Sequence, residues 1–187
     1  MNTEEVWSGE FGSAYLKRNQ VDWQARKPFW KMILDETGAR SVYELGCNAG
    51  WNLSAINRLY PDVITTGVDI NEDAITQAWT ADLNVFHVEE TDLITPQAEL
   101  TFTAGVLIHI PPDDIMQTMM DLIDRSYDYV LSVEYEADKE TEIEYRGQSG
   151  LLWKRPYGEM YKDLGLTPVD TGPAIGFDDC RYWLLRK

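Results

Sequence analysis

Four short apolar runs, SVYELG, VITTGVDI, NVFHVEE and ELTFTAGVLIHI, are separated by stretches of helical periodicity, and that alternation leaves few folds open. Strand, helix and strand in succession make a βαβ unit, and a series of such units builds a largely parallel sheet covered by helices. Ligands of these sheets bind at the carboxyl ends of the strands. The loops that follow the four runs are therefore where chemistry is expected.

Two helices are predicted ahead of the first strand. Residues 2–19 are rich in helix formers but interrupted by Gly9 and Gly12; residues 22–37 put Phe29, Trp30, Ile33 and Leu34 on one face and stop at Gly38. Further helices are predicted around NLSAINRLY, NEDAITQAW and PPDDIMQTMMDLIDRS, the last entered through Pro112, and a fifth strand in YDYVLSVEYE. Residues 137–156 are polar and irregular. A short helix, YGEMYKDLG, precedes two strands near TPVDTG and RYWLLRK with no helix between them, which predicts an antiparallel hairpin at the sheet edge.

The length of 187 residues suits one domain. A net charge of -16 repels phosphate backbones and argues against a nucleic-acid partner. No stretch approaches the roughly 20 apolar residues that span a bilayer, and the first ten residues have neither a basic start nor an apolar core, so no membrane partner and no signal peptide are expected. Cys47 and Cys180 lack metal-ligand spacing. Free thiols, no metal and a cytoplasmic location are the simplest reading.

The first strand runs into Gly46, Asn48 and Gly50, a GxNxG turn ahead of a helix. Glycine permits positive φ and close approach of a ligand, and asparagine is the next most tolerant residue. Glu44, just before the turn, would repel a pyrophosphate but accept a hydrogen bond or attract a cation. One βα unit later the second strand ends in Asp69, suited to a ribose diol. The third is followed by Asp92 and Leu93, an acid for an exocyclic adenine amine beside an apolar contact. A nicotinamide dinucleotide wants G-x-G-x-x-G, yet Asn48 and Trp51 stand at its second and third glycine positions. S-adenosylmethionine wants an acid, then G-x-G-x-G, then a ribose-binding acid, and is met with one substitution. A plain tight turn is the remaining reading.

On these residues the chain resembles a class I S-adenosylmethionine-dependent methyltransferase over residues 41–187. More narrowly it resembles the small methyltransferases associated with pseudaminic acid biosynthesis. The narrower likeness rests on VWSGEFGSAYLKRN, through Trp7, Gly9, Glu10, Phe11, Gly12, Tyr15, Arg18 and Asn19, on ELGCNAGWNL, on FTAGVLIHIPP, and on EYRGQ with the later WKR. Pro156 and Tyr157 depart from it where an acid is expected before the aromatic. The resemblance implies a Rossmann-like seven-stranded α/β sheet with its last strand antiparallel, flanked by helices. It implies S-adenosyl-L-methionine as cofactor, with Asp69 and Ile70 at the ribose and Asp92 and Leu93 at the adenine. Glu44, Gly46, Cys47, Asn48, Gly50 and Asn52 belong to the loop facing the methionine moiety, and Ala104 and Gly105 lie beneath the cofactor. Residues 1–40 become a helical lid within the same domain, contributing Phe11, Tyr15 and Arg18. Tyr15 and Arg18 share a helix face, and a guanidinium suits the methionyl carboxylate.

Methyl transfer asks mainly for alignment, with a general base if the acceptor is an alcohol. His109, after the fourth strand, is the leading candidate base, against the alternative of a structural histidine bonded to a loop carbonyl. Glu134 and Tyr135 at the fifth strand end are weaker candidates, and His87 lies inside a strand. Arg146, Lys154 and Arg155 form a basic segment for a small, anionic sugar-type acceptor, unless they pair with Glu140, Glu142 and Glu144. The other function class left open is a catalytically silent adenosylmethionine-binding module that assists a partner enzyme. A base-modifying nucleic-acid methyltransferase would carry a polar residue before and an aromatic after Pro-Pro, which HIPPDD lacks. A dinucleotide oxidoreductase would need a substrate domain for which there is no length.

Overall fold

Runs of buried residues form the central strands β1 (Ser41–Leu45), β2 (Ile64–Asp69), β3 (Val85–His87), β4 (Ala98–Ala104) and β5 (Ser126–Glu134). The computed structural model describes residues 3–90 and 97–187. Two short strands follow, β6 (Thr141–Glu142) and β7 (Trp153–Lys154), and then β8 (Thr167–Pro173) and β9 (Arg181–Arg186). The main sheet has seven strands in the order β3-β2-β1-β4-β5-β9-β8. The first five pair in parallel, while β9 is antiparallel to β5 and β8 antiparallel to β9. The expected edge hairpin is therefore present, with β8 outermost. The chain runs outward from β1 to β3 and returns to β4 on the other side of β1. That reversal opens a crevice above the carboxyl ends of β1 and β4, where doubly wound sheets hold their ligands.

Successive strand residues face opposite sides, and the core divides accordingly. Val42, Leu131, Val133 and Leu184 join one apolar cluster; their neighbours Tyr43, Val130 and Leu185 join the other. The helices are α1 (Thr3–Ser8), α2 (Glu10–Arg18), α3 (Lys27–Thr37), α4 (Trp51–Leu59), α5 (Glu72–Thr80), α6 (Ile115–Arg125) and α7 (Tyr157–Asp163). Phe29, Trp30, Ile33 and Leu34 of α3 are buried in the first cluster, and Ile115, Met119 and Leu122 of α6 in the second. No helix among the described residues is long and apolar enough to cross a membrane.

The boundaries differ from expectation where the backbone chemistry changes. The helix predicted over 22–37 opens as a 3-10 turn, Trp23–Arg26, capped by Asp22 accepting from Gln24 N. The α-helical part begins only at Lys27, where Pro28 fills a first-turn position that needs no N–H. The helix over 2–19 breaks at Gly9 and runs on through Gly12. The third strand stops at His87 and gives way to a 3-10 turn, Val88–Glu90. After Pro111 and Pro112 the chain turns once before α6 starts at Ile115.

Candidate functional site

The β1–α4 loop folds tightly against the neighbouring strand. The N–H groups of Gly46 and Cys47 both donate to the Val68 carbonyl, at 2.8 and 2.9 Å. Gly46 has φ +71°, and a Cβ there would come within 2.4 Å of Val106, so only glycine lets the β4 loop close over this turn. Asn48 carries its own positive φ, +50°. Gly50 is also left-handed, with φ +74°, and a Cβ there would meet Leu83 at 2.2 Å; the residue does not line the cavity below.

Asp69, at the end of β2, accepts from Asn48 N at 2.8 Å on one carboxylate oxygen and from Asn71 N at 2.9 Å on the other. The Ile70 N–H also acts on this carboxylate. Burial raises its pKa, and the backbone donors oppose the rise. Asn71 accepts from Ala74 N to cap α5, and its Nδ2 donates to the Trp7 carbonyl at 3.1 Å. That bond fastens the α1–α2 junction to the strand rim.

Glu44 is 1% exposed. Its Oε1 accepts from Asn52 Nδ2 at 2.6 Å, and Asn52 Oδ1 accepts from Arg26 Nη1 at 2.9 Å and from Trp30 Nε1 at 3.3 Å. Its Oε2 is buried without a hydrogen-bond partner. Burial pushes the Glu44 pKa up to about 8, against the opposing pull of Asn52 and Arg26. Arg26 is held in turn: its Nε donates to the Gly176 carbonyl at 3.3 Å and its guanidinium covers the Phe177 ring at 4.1 Å.

Two cavities meet above the sheet. The first, about 470 Å³, is lined by Glu44, Gly46, Cys47, Asn48, Asn52, Asp69 and Ile70. The second, about 650 Å³, opens beside it, and Tyr15, Val21, Arg26, Ala104, Gly105 and His109 line both. Gly105 has φ +69°, and a Cβ on it would meet nothing within 4 Å. At Gly105 the shared wall is bare backbone.

The expected site residues separate accordingly. His109 lies at the junction of the cavities. Its Nδ1–H donates to the Leu151 carbonyl at 2.8 Å, which leaves Nε2 with a lone pair, and its ring lies 4.2 Å from that of Trp7. Burial lowers its pKa to about 4, with the Leu151 bond opposing. The structural bond and the cavity position coexist. Tyr135 lines the second cavity and donates its hydroxyl to Asp178 Oδ2 at 3.2 Å. Glu134 lines neither cavity: its Oε1 accepts from Val106 N and Leu107 N at 3.0 and 3.1 Å, bracing the β4 loop from beneath the sheet end. This corrects its assignment to the reacting centre.

The basic segment divides as well. Lys154 lines the second cavity. Arg155 is 1% exposed and pairs with Glu140 at 2.7 Å, which corrects its assignment to the acceptor. Arg146 sits at φ +54° in an exposed turn and lines neither cavity, although its guanidinium lies 5.8 Å from the ring centroid of Tyr145, which lines the second. Arg18 lines the second cavity and not the first, and Phe11 lines neither, packing edge-on against Trp7 at 5.3 Å. Both depart from the expected cofactor contacts. His87 ends β3, its Nε2 lying 3.2 Å from the Ile70 carbonyl. Asp92 and Leu93 lie outside the described residues. Among the described residues no group of three or more His, Cys, Asp or Glu is arranged to hold a metal.

Sequence reasoning missed Arg26, Trp7 and Asn71. Asn71 carried a readable signal, a helix-capping residue directly after the strand-end turn. Arg26 carried none, because its partners Asn52 and Gly176 come from distant segments.

Against known proteins, no family model matches the chain and no curated protein does. Solved structures do. Magnesium protoporphyrin IX methyltransferase from Synechocystis, with bound S-adenosylhomocysteine, matches with a TM-score of 0.72 at 12% identity over 98% of this chain and 97% of that one. A sugar N-methyltransferase from Streptoalloteichus matches with a TM-score of 0.71 at 12% identity, over 96% and 93%. The 1,6-didemethyltoxoflavin-N1-methyltransferase of Burkholderia thailandensis matches with a TM-score of 0.69 at 20% identity, over 97% and 87%. At such identities the likeness is one of fold. The architecture is the Rossmann-like fold of class I methyltransferases, with the antiparallel last strand.

Proposed function

We propose that this protein is an S-adenosylmethionine-dependent methyltransferase acting on a small acceptor. The observation that carries the reading is a cavity at the strand switch point that joins Asp69, the folded-back Gly46 loop and a buried, unpartnered Glu44 oxygen. A phosphate offers that oxygen only repulsion; an ammonium offers it both a donor and a counter-charge, a stronger bond than a neutral donor makes. Asp69, a carboxylate that lines the cavity at the end of β2, takes the ribose diol. Glu44 takes the methionyl ammonium, and Arg26 takes the methionyl carboxylate in place of Arg18. Asp92 and Leu93 complete the adenine side. Residues 1–40 act as a lid, a role supported by the Asn71 bond to Trp7 and by the Trp7 ring on His109. The sequence likeness supports a sugar or nonulosonic-acid-type acceptor within pseudaminic acid metabolism.

When bound, adenosylmethionine supplies an electrophilic methyl: the acceptor lone pair bonds to its carbon as the S–CH3 electron pair returns to sulfur. The protein's part is alignment, which contributes roughly 7–11 kcal/mol in well-oriented reactions. Bare backbone at Gly105 lets the two ligands approach each other. His109 removes the acceptor proton through Nε2. A base held near 4 is too weak to ionise a hydroxyl beforehand, but an oxygen grows strongly acidic as it is alkylated, so late transfer suits it. His109→Gln is expected to lower kcat by about 100-fold while cofactor affinity stays within about threefold. Unchanged kcat contradicts the role.

The test of the function is transfer of labelled methyl from adenosylmethionine to small acceptors, sugar acids and sugar nucleotides first. Tight cofactor binding with no transfer to any acceptor supports the alternative, a silent adenosylmethionine-binding module.

A further inference from the structure

The second cavity carries a charge pattern at odds with the rest of the molecule. The chain has 32 acidic and 16 basic residues, yet Arg18, Arg26 and Lys154 line this cavity against Asp22 and Asp178. Asp22 accepts from Gln24 N at 3.1 Å and Asp178 from the Tyr135 hydroxyl; both keep their charge, and neither forms an ion pair with Arg18 or Lys154. Arg26 bonds Asn52 and Gly176 through Nη1 and Nε, and the proposed methionyl carboxylate takes what remains of its guanidinium. Among the described residues no carboxylate pairs with Arg18 or Lys154.

Lys154 is also aimed by construction. The next residue, Arg155, is buried, its Nε on Glu140 at 2.7 Å and its Nη1 on the Leu107 carbonyl at 3.1 Å. Those bonds pin the end of β7, and strand alternation then turns Lys154 to the opposite side, toward the cavity. Its ammonium rests 5.6 Å from the centroid of the Tyr135 ring. An ammonium and a guanidinium without carboxylate partners, in a concave wall that concentrates their field, form an oxyanion anchor. A cavity of about 650 Å³ suits a small molecule rather than a polymer.

We infer that the second cavity binds the methyl acceptor as an anion, with Lys154 and Arg18 holding a carboxylate or phosphate ester of a small metabolite. This rests on the proposed methyl-transfer reading. The anchor is separate from the reacting atom, which lies at the junction beside His109 and Gly105.

The test needs no prior identification of the acceptor. A low-molecular-weight extract of cells that carry the protein is divided on an anion-exchange resin at neutral pH. Each fraction is then incubated with the protein and labelled adenosylmethionine. Label is expected in the retained fraction and at least tenfold less in the unretained one. Phosphatase treatment of the retained fraction separates the two sources: an acceptor that disappears is a phosphate ester, and one that persists is a carboxylate. Lys154→Glu is expected to cut labelling at least tenfold with adenosylhomocysteine affinity within about twofold of wild type, and Lys154→Arg to restore most of it. Labelling confined to the unretained fraction, or wild-type labelling by Lys154→Glu, overturns the anion anchor. No label in any fraction, from protein that binds adenosylhomocysteine, overturns methyl transfer itself and this inference with it.

Discussion

Asp69→Ala is expected to weaken adenosylhomocysteine binding by about 100-fold or more while leaving the protein folded. Two ribose hydroxyls bonded to a carboxylate contribute on the order of 1.5–3 kcal/mol each, and about 3 kcal/mol corresponds to somewhat over 100-fold in Kd. The carboxylate also ties Asn48 and Asn71 together, so its loss frees two backbone donors and loosens the loop that presents the cofactor site. The fold rests elsewhere, on strands whose residues are almost wholly buried, such as Leu100, Phe102 and Leu131 at 0% exposure. A fall in Tm of several degrees is expected, not loss of the cooperative transition. Asp69→Asn keeps one acceptor oxygen and is expected to lose less affinity. Wild-type affinity in Asp69→Ala removes Asp69 from the ribose site.

Glu44→Gln is expected to divide stability from binding. In the free protein the Glu44 carboxyl titrates near 8, above the ordinary carboxylate value. The folded state therefore binds a proton more tightly than the unfolded chain does. Stability from this group is fully present below about 4.5, declines as the pH rises, and is lost once the pH passes the folded value near 8. For a group 1% exposed, that window corresponds to an effect on the order of 4–5 kcal/mol. Glutamine carries no charge to ionise, so the variant is expected to exceed wild-type Tm at pH 9 and to lose that advantage at pH 5. Binding moves the other way. Without a carboxylate for the methionyl ammonium, affinity for adenosylmethionine at pH 9 is expected to fall by about 100-fold, as hydrogen bonds to charged groups are among the stronger ones. Calorimetry in buffers of different ionisation enthalpy adds a sharper check. Wild-type protein at pH 7 is expected to release a large fraction of one proton on binding, and Glu44→Gln close to none. Equal proton release from both forms contradicts the assignment.

What the sequence revealed follows the range of the interactions involved. The sheet was legible because alternation between period 2 and period 3.6 is a local property. The antiparallel final pair was legible because no helix separates its strands. The turn around Gly46 and the acids Glu44 and Asp69 were legible for the same reason: each is set by residues next to it in the chain. Misreadings arose where a side chain is claimed by a distant partner. Glu134 braces the loop after β4, and Arg155 reaches back to Leu107. Neither bond leaves a trace in spacing. The basic segment read as one patch, yet of its three cations Lys154 lines a cavity, while Arg155, the next residue, turns to Glu140 and Leu107. Arg26 was overlooked because the relay through Asn52 to Glu44 exists only once α4 and the turn before α3 are packed together.

Titration calorimetry of the purified protein with S-adenosylhomocysteine, and separately with NADH, bears most directly on the central claim. Saturable heat at one site per chain for adenosylhomocysteine, and none for NADH, is the expected result. Saturable heat for NADH together with none for adenosylmethionine or adenosylhomocysteine contradicts it.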